Sequence, residues 1–164
     1  MNLLLLFFFY AFFASINGTP DSVIVTDGDT IMLRGQVIRL YGIDAPELKQ
    51  TCITTDDKII NCGDQARKYL QDAIQELPRT TIITCSTVDI DRYRRKVAIC
   101  QVRISDVMVV VLNEAMVRAG WALDYSRYSG GLYAEAESEA RKFKAGLWAF
   151  KTFERPEDYR RRAK

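Results

Sequence analysis

The sequence predicts a mainly β fold with helices, a five-stranded OB-fold barrel plus three helices. Three observations predict it. Short β-branched runs cut by turn dipeptides fill the first half; one amphipathic helix separates the third strand from the fourth; two helical stretches follow the fifth.

The first three strands read as Ser22–Val25, Thr30–Leu33 and Gln36–Ile43. Asp27-Gly28 and Arg34-Gly35, both turn dipeptides, separate them. A Pro-bearing loop follows from Asp44, and its stretch "CITTDDKIINC" is polar at the centre. Ala66, Tyr69, Leu70, Ala73, Ile74 and Leu77 then recur at helical spacing until Pro78 ends the run. Strands at Thr81–Ser86 and Lys96–Ile104 flank the turn "DIDRYRRK". Apolar residues on both parities of the second predict a strand covered on both faces. "VVVLNEAMVRAG" reads as the second helix, with Gly120 at its C-cap, and the third runs from Leu132 to Ala145. Glu135, Glu137 and Glu139 read as the third helix's solvated face. The tail "ERPEDYRRRAK" is nearly all charged and reads as a fraying end, solubilising or attractive to a polyanion.

The 164 residues carry no internal repeat. They divide into a leader at 1–18, one domain at 21–150 and the charged tail at 151–164. The run from Leu3 to Ala14 is apolar but shorter than the about 20 residues a bilayer takes. It has the length of a signal-peptide core, although no Lys or Arg precedes it and the cleavage pattern near Ala14 to Gly18 is poor. The expectation is a secreted or periplasmic protein, with an uncleaved anchoring leader as the alternative. A formal charge of +2 provides no global basic field, so contact with nucleic acid must rest on local patches.

Four cysteines fit export. Cys85 and Cys100 are equidistant from Arg92–Tyr93, so a hairpin turning there sets them opposite each other, within disulfide range. Cys52 and Cys62 would close a short loop. Four free thiols or a zinc site are the alternatives, but the spacings are not those of C-x₂-C pairs. Two bridges are expected. The chain has no histidine, which excludes a Ser-His-Asp triad and any His-ligated metal. Acid–base work then falls to carboxylates, Tyr, Lys and Arg, and a bound metal would be held by oxygen.

"DGDTIMLRGQVIRLYGIDAPE" carries Asp27, Asp29, Asp44 and Glu47 at the ends of paired strands, with Arg39 between them. Asp27 and Asp44 suit turns on their own account. The hairpin about Arg34-Gly35 would bring Asp29 near Arg39 or Leu40, and the Asp44 loop could bring both carboxylates to one rim. A divalent cation resolves their repulsion, and a carbonyl of the Asp44–Glu47 loop could add a ligand. Arg39 interrupts an apolar run and needs an anion, either a neighbouring carboxylate or a phosphate. Glu47, just past Pro46, could orient a water beside the metal. In the second turn Arg92, Arg94, Arg95 and Lys96 surround Tyr93, a pattern that suits phosphate contact with base stacking.

Together, "DGDT", "IRLYGIDAPE", "DRYRRKVA", "VVVLNEAMVRAGWA" and "AEAESEARKFKAGLW" resemble the thermonuclease (staphylococcal nuclease-like) family from Val23 to Trp148. The resemblance implies an OB-fold nuclease hydrolysing DNA and RNA with low sequence specificity to 3′-phosphate ends. It implies Ca²⁺ on Asp29, Asp44 and the Ala45 carbonyl, Glu47 as candidate base, and Arg39 and Arg95 as phosphate clamps. Arg92, Tyr93 and Tyr125 would lie along the nucleotide groove, in a monomer with no stable protein partner. Ala45 stands where the type enzyme has threonine, Arg94 replaces a commoner glycine, and Tyr125 is one position out of register. Hydrolysis is weighed against a non-catalytic nucleic-acid-binding OB domain, which would be free to lose part of the Arg39, Glu47 and Arg95 set.

Overall fold

The structure, a computed structural model, describes residues 14–163. Of the expected leader, residues 1–13 lie outside the described residues. Among the described residues no helix is long and apolar enough to cross a membrane.

Among the described residues eleven strands and five α-helices follow in chain order. The strands are β1 (Ser15–Gly18), β2 (Val23–Asp27), β3 (Thr30–Leu33), β4 (Gln36–Leu40), β5 (Ile43–Asp44), β6 (Thr51–Ile53), β7 (Ile59–Asn61), β8 (Ile83–Ile90), β9 (Lys96–Arg103), β10 (Val109–Val111) and β11 (Leu123–Asp124). The helices are α1 (Cys62–Gln75), α2 (Leu112–Arg118), α3 (Ser126–Ser129), α4 (Ala134–Lys142) and α5 (Pro156–Arg162).

A seven-stranded mixed sheet runs β1-β8-β9-β4-β3-β2, with β10 pairing the far end of β9. Strand β9 is its hinge. Its first residues pair in parallel with β4 and its last residues pair antiparallel with β10, while β8 lines its other edge. Two small antiparallel pairs, β11–β5 and β6–β7, stand apart.

Alternation on these strands sorts core from rim, as the two-residue side-chain period requires. Ile38 and Leu40 of β4 and Ala98, Cys100 and Val102 of β9 are buried, while Arg39 faces the other way. Helix α1 lays Ala66, Leu70 and Ile74 on the same core. A second apolar cluster gathers Cys52, Cys62, Leu123 and Leu147 under Trp121, Trp148, Phe150 and Phe153.

Several expectations need correcting. The described sheet is not a closed five-stranded barrel, and the described residues form five α-helices rather than three. Val109–Val111 is a strand, so the second helix begins only at Leu112. Gln36–Ile43 breaks at Gly42, where φ is +72°, and Ile43 restarts in a different pair. Strand β9 is buried on one face, with Gln101 and Arg103 exposed on the other. Glu137 is buried rather than solvated, accepting from the Asp124 amide at 2.6 Å. Ser15–Gly18, inside the expected cleavage region, pairs with Ser86–Ile83 and buries Ile16. The tail expected to fray is α5.

Candidate active site

The β3–β4 hairpin builds the centre. Arg34 and Gly35 take φ +50° and +78°, both positive, as a type I′ turn requires. The register that follows sets Thr30 opposite Arg39, and the Leu40 amide donates to the Asp29 carbonyl at 2.7 Å. Asp29 thereby lies beside the Arg39 side chain. Arg39 Nη1 donates to Asp29 Oδ1 at 3.2 Å, and Nη2 lies 2.8 Å from Asp29 Oδ2. The same Nη2 is 3.4 Å from Asp44 Oδ1. Asp44 is held there by β5, whose partner β11 sets Leu123 opposite it.

Burial makes this cluster electrostatically tense. Asp29 and Asp44 are each 3% exposed. The Asp44 carboxyl is pushed up to about 6, chiefly by burial, against the lowering effect of Arg160 and Arg39. Asp27 is pushed up to about 7 by burial and by the charge of Asp29, whose amide it accepts at 3.0 Å. Arg39 is held above its usual range, because the adjacent Asp29 outweighs the cost of burial.

The loop carrying Glu47 is fixed from behind. Gln50, fully buried, accepts the Glu47 amide at 3.2 Å, and its own amide donates to the Glu47 carbonyl at 2.7 Å. Gly63, in the first turn of α1, packs so close to this loop that a Cβ there would fall on the Glu47 carbonyl. The Glu47 carboxylate meets Arg160 Nη1 at 2.8 Å, and that nitrogen also lies 2.8 Å from Asp44 Oδ1. Hydrogen bonds to both carboxylates hold Arg160 protonated above its usual range, although burial opposes its charge.

Four expected residues are therefore joined: Arg39 links Asp29 to Asp44, and Arg160 links Asp44 to Glu47. Ala45 is buried beside them, its amide 3.4 Å from Asp29 Oδ2. Arg160 was missed by sequence reading. A signal for it existed, since "RPEDYRRR" has proline at the first helical position, acids in the first turn and arginines in the last.

Arg95, Arg92 and Tyr93 stay on their own turn. Parallel pairing sets Arg39 level with Val97, two residues beyond Arg95. Arg95 thus falls on the Arg39 parity, about 7 Å along the strand. Its Nε donates to Asp91 Oδ2 at 2.7 Å, and its guanidinium sits 5.5 Å from the Tyr93 ring centre. Arg92 covers the same ring at 4.8 Å, and Tyr93 is 64% exposed. Arg94 takes φ +65°, the conformation that a glycine adopts without strain. Tyr125 meets the Tyr128 ring edge-on at 4.9 Å, and its hydroxyl is pushed up by burial and by the charges of Glu157 and Asp44.

The donor set fits a hard divalent cation. Among the described residues no group of three or more acidic or cysteine side chains gathers as a ligand shell. Two buried carboxylates converge, however, and a cation between them would offset both their burial and their mutual repulsion. Asp29, Asp44 and a carbonyl of the Asp44–Glu47 loop are oxygen donors of the kind calcium takes.

Both cysteine pairs are joined, Cys52 to Cys62 and Cys85 to Cys100, with Cα separations of 5.7 and 4.0 Å. The second lies at directly opposed positions of β8 and β9, as the hairpin reading expects.

The chain is similar to several known proteins. The chain is 34% identical over 125 residues to the succinoglycan biosynthesis protein ExoI of Rhizobium meliloti (strain 1021), covering 76% of this chain and 61% of that protein. It is 29% identical to the probable staphylococcal-like nuclease CAN4 of Oryza sativa subsp. japonica, covering 90% of this chain but 26% of that one. It is 30% identical to the micrococcal nuclease of Shigella flexneri, covering 88% and 81%. The chain thus spans less than two thirds of the first two relatives. Residues 37–150 match the family described as staphylococcal nuclease homologue, and the chain belongs to that family.

Proposed function

We propose that this protein is an exported nuclease that hydrolyses phosphodiester bonds of DNA and RNA with low sequence specificity, leaving 3′-phosphate ends, with Ca²⁺ as its cation. The observation that carries the reading is the sharing of Arg39 Nη2 by Asp29 and Asp44, with Glu47 one guanidinium away. Membership of the family and likeness to relatives named nucleases support it.

In-line attack on a phosphodiester adds negative charge to its non-bridging oxygens. Arg39 and Arg95 suit that charge, since a guanidinium stays protonated and its planar fork matches two phosphate oxygens. Asp29, Asp44 and the Ala45 carbonyl would hold the calcium ion, which when bound supplies further positive charge to the phosphate. Glu47 accepts the proton of the attacking water or fixes that water by hydrogen bonding, and Gln50 holds its loop in place. Tyr93, exposed between two arginines, suits stacking on a base while the arginines meet the backbone. Export is supported by the two disulfides, which persist in oxidising compartments.

Digestion of single-stranded DNA in calcium, in magnesium and in chelator tests the reading, run on wild type and Glu47→Ala. Cleavage in calcium that is abolished by chelator and reduced about 10²-fold or more by the substitution is expected. Cleavage that survives chelation sinks the cation's role. A folded wild type that binds DNA without cutting it favours a non-catalytic binding domain.

A further inference from the structure

We propose that Arg160, delivered by the carboxy-terminal helix, is a positioning residue of this site that holds Glu47 beside Asp44 and competes with the divalent cation for Asp44. The inference rests on the nuclease reading and deepens it.

A single nitrogen makes both contacts, Arg160 Nη1 lying 2.8 Å from Asp44 Oδ1 and 2.8 Å from Glu47 Oε1. An arginine on a loose tail would gain little from such a pair after losing its rotamer freedom. This one is aimed by its backbone. Ile53 and Thr152 form a β-bridge, and the Lys151 amide donates to the Ile53 carbonyl at 2.9 Å. Phe153 meets Trp148 edge-on at 5.1 Å, and Pro156 is buried at the start of α5. Glu157 pairs with Arg127 at 3.3 Å.

Gln50 joins the two parts. Its Nε2 donates to the Glu154 carbonyl at 2.7 Å while its Oε1 accepts the Glu47 amide. One buried side chain therefore clamps both the tail and the loop that carries Glu47. Their separation in sequence, 113 residues between Arg160 and Glu47, vanishes at this clamp.

Two effects of opposite sign follow. Glu47 is 39% exposed at its side chain, and Arg160 gives it a fixed partner, so losing Arg160 loosens the group that faces the attacking water. Arg160 occupies Asp44 Oδ1, on the carboxylate that would also hold the cation, so losing Arg160 frees a ligand oxygen and removes a repelling charge. Slower turnover with tighter cation binding is the signature. A plug that blocks the site would release faster turnover with tighter binding. A strap that only pins the tail would change stability and leave cation affinity alone.

The test is calcium titration by calorimetry without substrate, paired with steady-state cleavage of a single-stranded oligonucleotide. It is run on wild type, Arg160→Met, Arg160→Gln, Arg160→Lys and Arg162→Ala. Expected for Arg160→Met is a calcium Kd lower by about tenfold and a kcat lower by about tenfold, with KM changed less than kcat. Arg160→Gln, a polar replacement, carries the same measurement should the methionine variant fail to fold. Arg160→Lys should restore both values toward wild type, because one ammonium can occupy the point that one nitrogen fills. Arg162, which pairs with Glu154 at 2.9 Å on the same helix, controls for general loosening of the tail and should match wild type. Unchanged Kd and kcat, a change in only one, or a rise in kcat overturns the proposal. A wild type that neither binds calcium nor cleaves overturns the nuclease reading instead.

Discussion

The guanidinium of Arg39 forks onto the carboxylate of Asp29, with Nη1 at 3.2 Å from Oδ1 and Nη2 at 2.8 Å from Oδ2. Removing the fork leaves buried acid without its partner, which typically costs about 3–5 kcal/mol. Arg39→Ala should therefore unfold at lower denaturant in chelator, and added calcium should recover part of the loss by replacing the missing positive charge. On the proposed reading, in which the fork would also meet the phosphate, cleavage of single-stranded DNA should fall about 10²-fold or more even in saturating calcium. Equal stability in chelator would show that the pair contributes nothing to the fold.

Gly63 offers a way to move Glu47 without touching it. A Cβ at this position would collide with the Glu47 carbonyl, and α1 is fixed behind it by the Cys52–Cys62 link. The loop must yield. Gly63→Ala should cost about 1–3 kcal/mol from overpacking. On the proposed reading, a displacement of about 1 Å at the group that would activate or position the water is worth up to about 10² in rate, so kcat should fall far more than folded population does. A rate loss no larger than the unfolded fraction would mean that the Glu47 loop relaxes freely.

Local chemistry made the centre of this site legible in sequence, and distance hid its edge. Arg34-Gly35 alone fixes the β3–β4 register, so Asp29 beside Arg39 follows from a turn dipeptide and a two-residue period. Cys85 opposite Cys100 follows in the same way from a turn at Arg92–Tyr93. Val109–Val111 was harder, because its β-branched run adjoins the helical "LNEAMVR" and its partner is settled by the turn closed from Ile104 to Met108 at 2.9 Å. Glu137 looks like its neighbours Glu135 and Glu139, and only the Asp124 amide, brought over it by tertiary packing, makes it different. Arg160 lay in a tail whose charge suggested solvent. Its helix signals were local, but its targets Asp44 and Glu47 belong to the opposite end of the chain.

The Cys52–Cys62 bridge closes the β6–β7 hairpin beneath the second apolar cluster and leads directly into α1. Its sequence separation of 10 corresponds to about 3 kcal/mol of restricted unfolded-chain entropy. Replacing both cysteines by alanine should lower the stability measured in urea by about that much. The same hairpin anchors the tail through Ile53 and Thr152, so this variant should also lose more activity than a Cys85/Cys100 double alanine of matched stability. Equal activities at matched stability would separate the hairpin from the site.

Tyr133 lies 3% exposed in the main core, and its hydroxyl finds no hydrogen-bond partner among the described residues. Burial, reinforced by Tyr41, pushes its phenol from 10.0 up to about 12. The sign follows from which form the fold prefers. A pKa raised on folding means that the native state holds the proton more tightly than the unfolded chain does. The corresponding stability is complete below pH 10 and is lost as pH rises from there through about 12. Phenylalanine keeps the ring and removes both the unpaired hydroxyl and the ionisation. Tyr133→Phe should thus gain about 1 kcal/mol at neutral pH, because no buried polar group is left unmatched. Its advantage over wild type should widen between pH 10 and 12, read as the difference in urea midpoints at each pH. A constant difference across that window would mean that the phenol ionises as easily in the fold as in water, and a loss at neutral pH would mean that the hydroxyl is bonded after all.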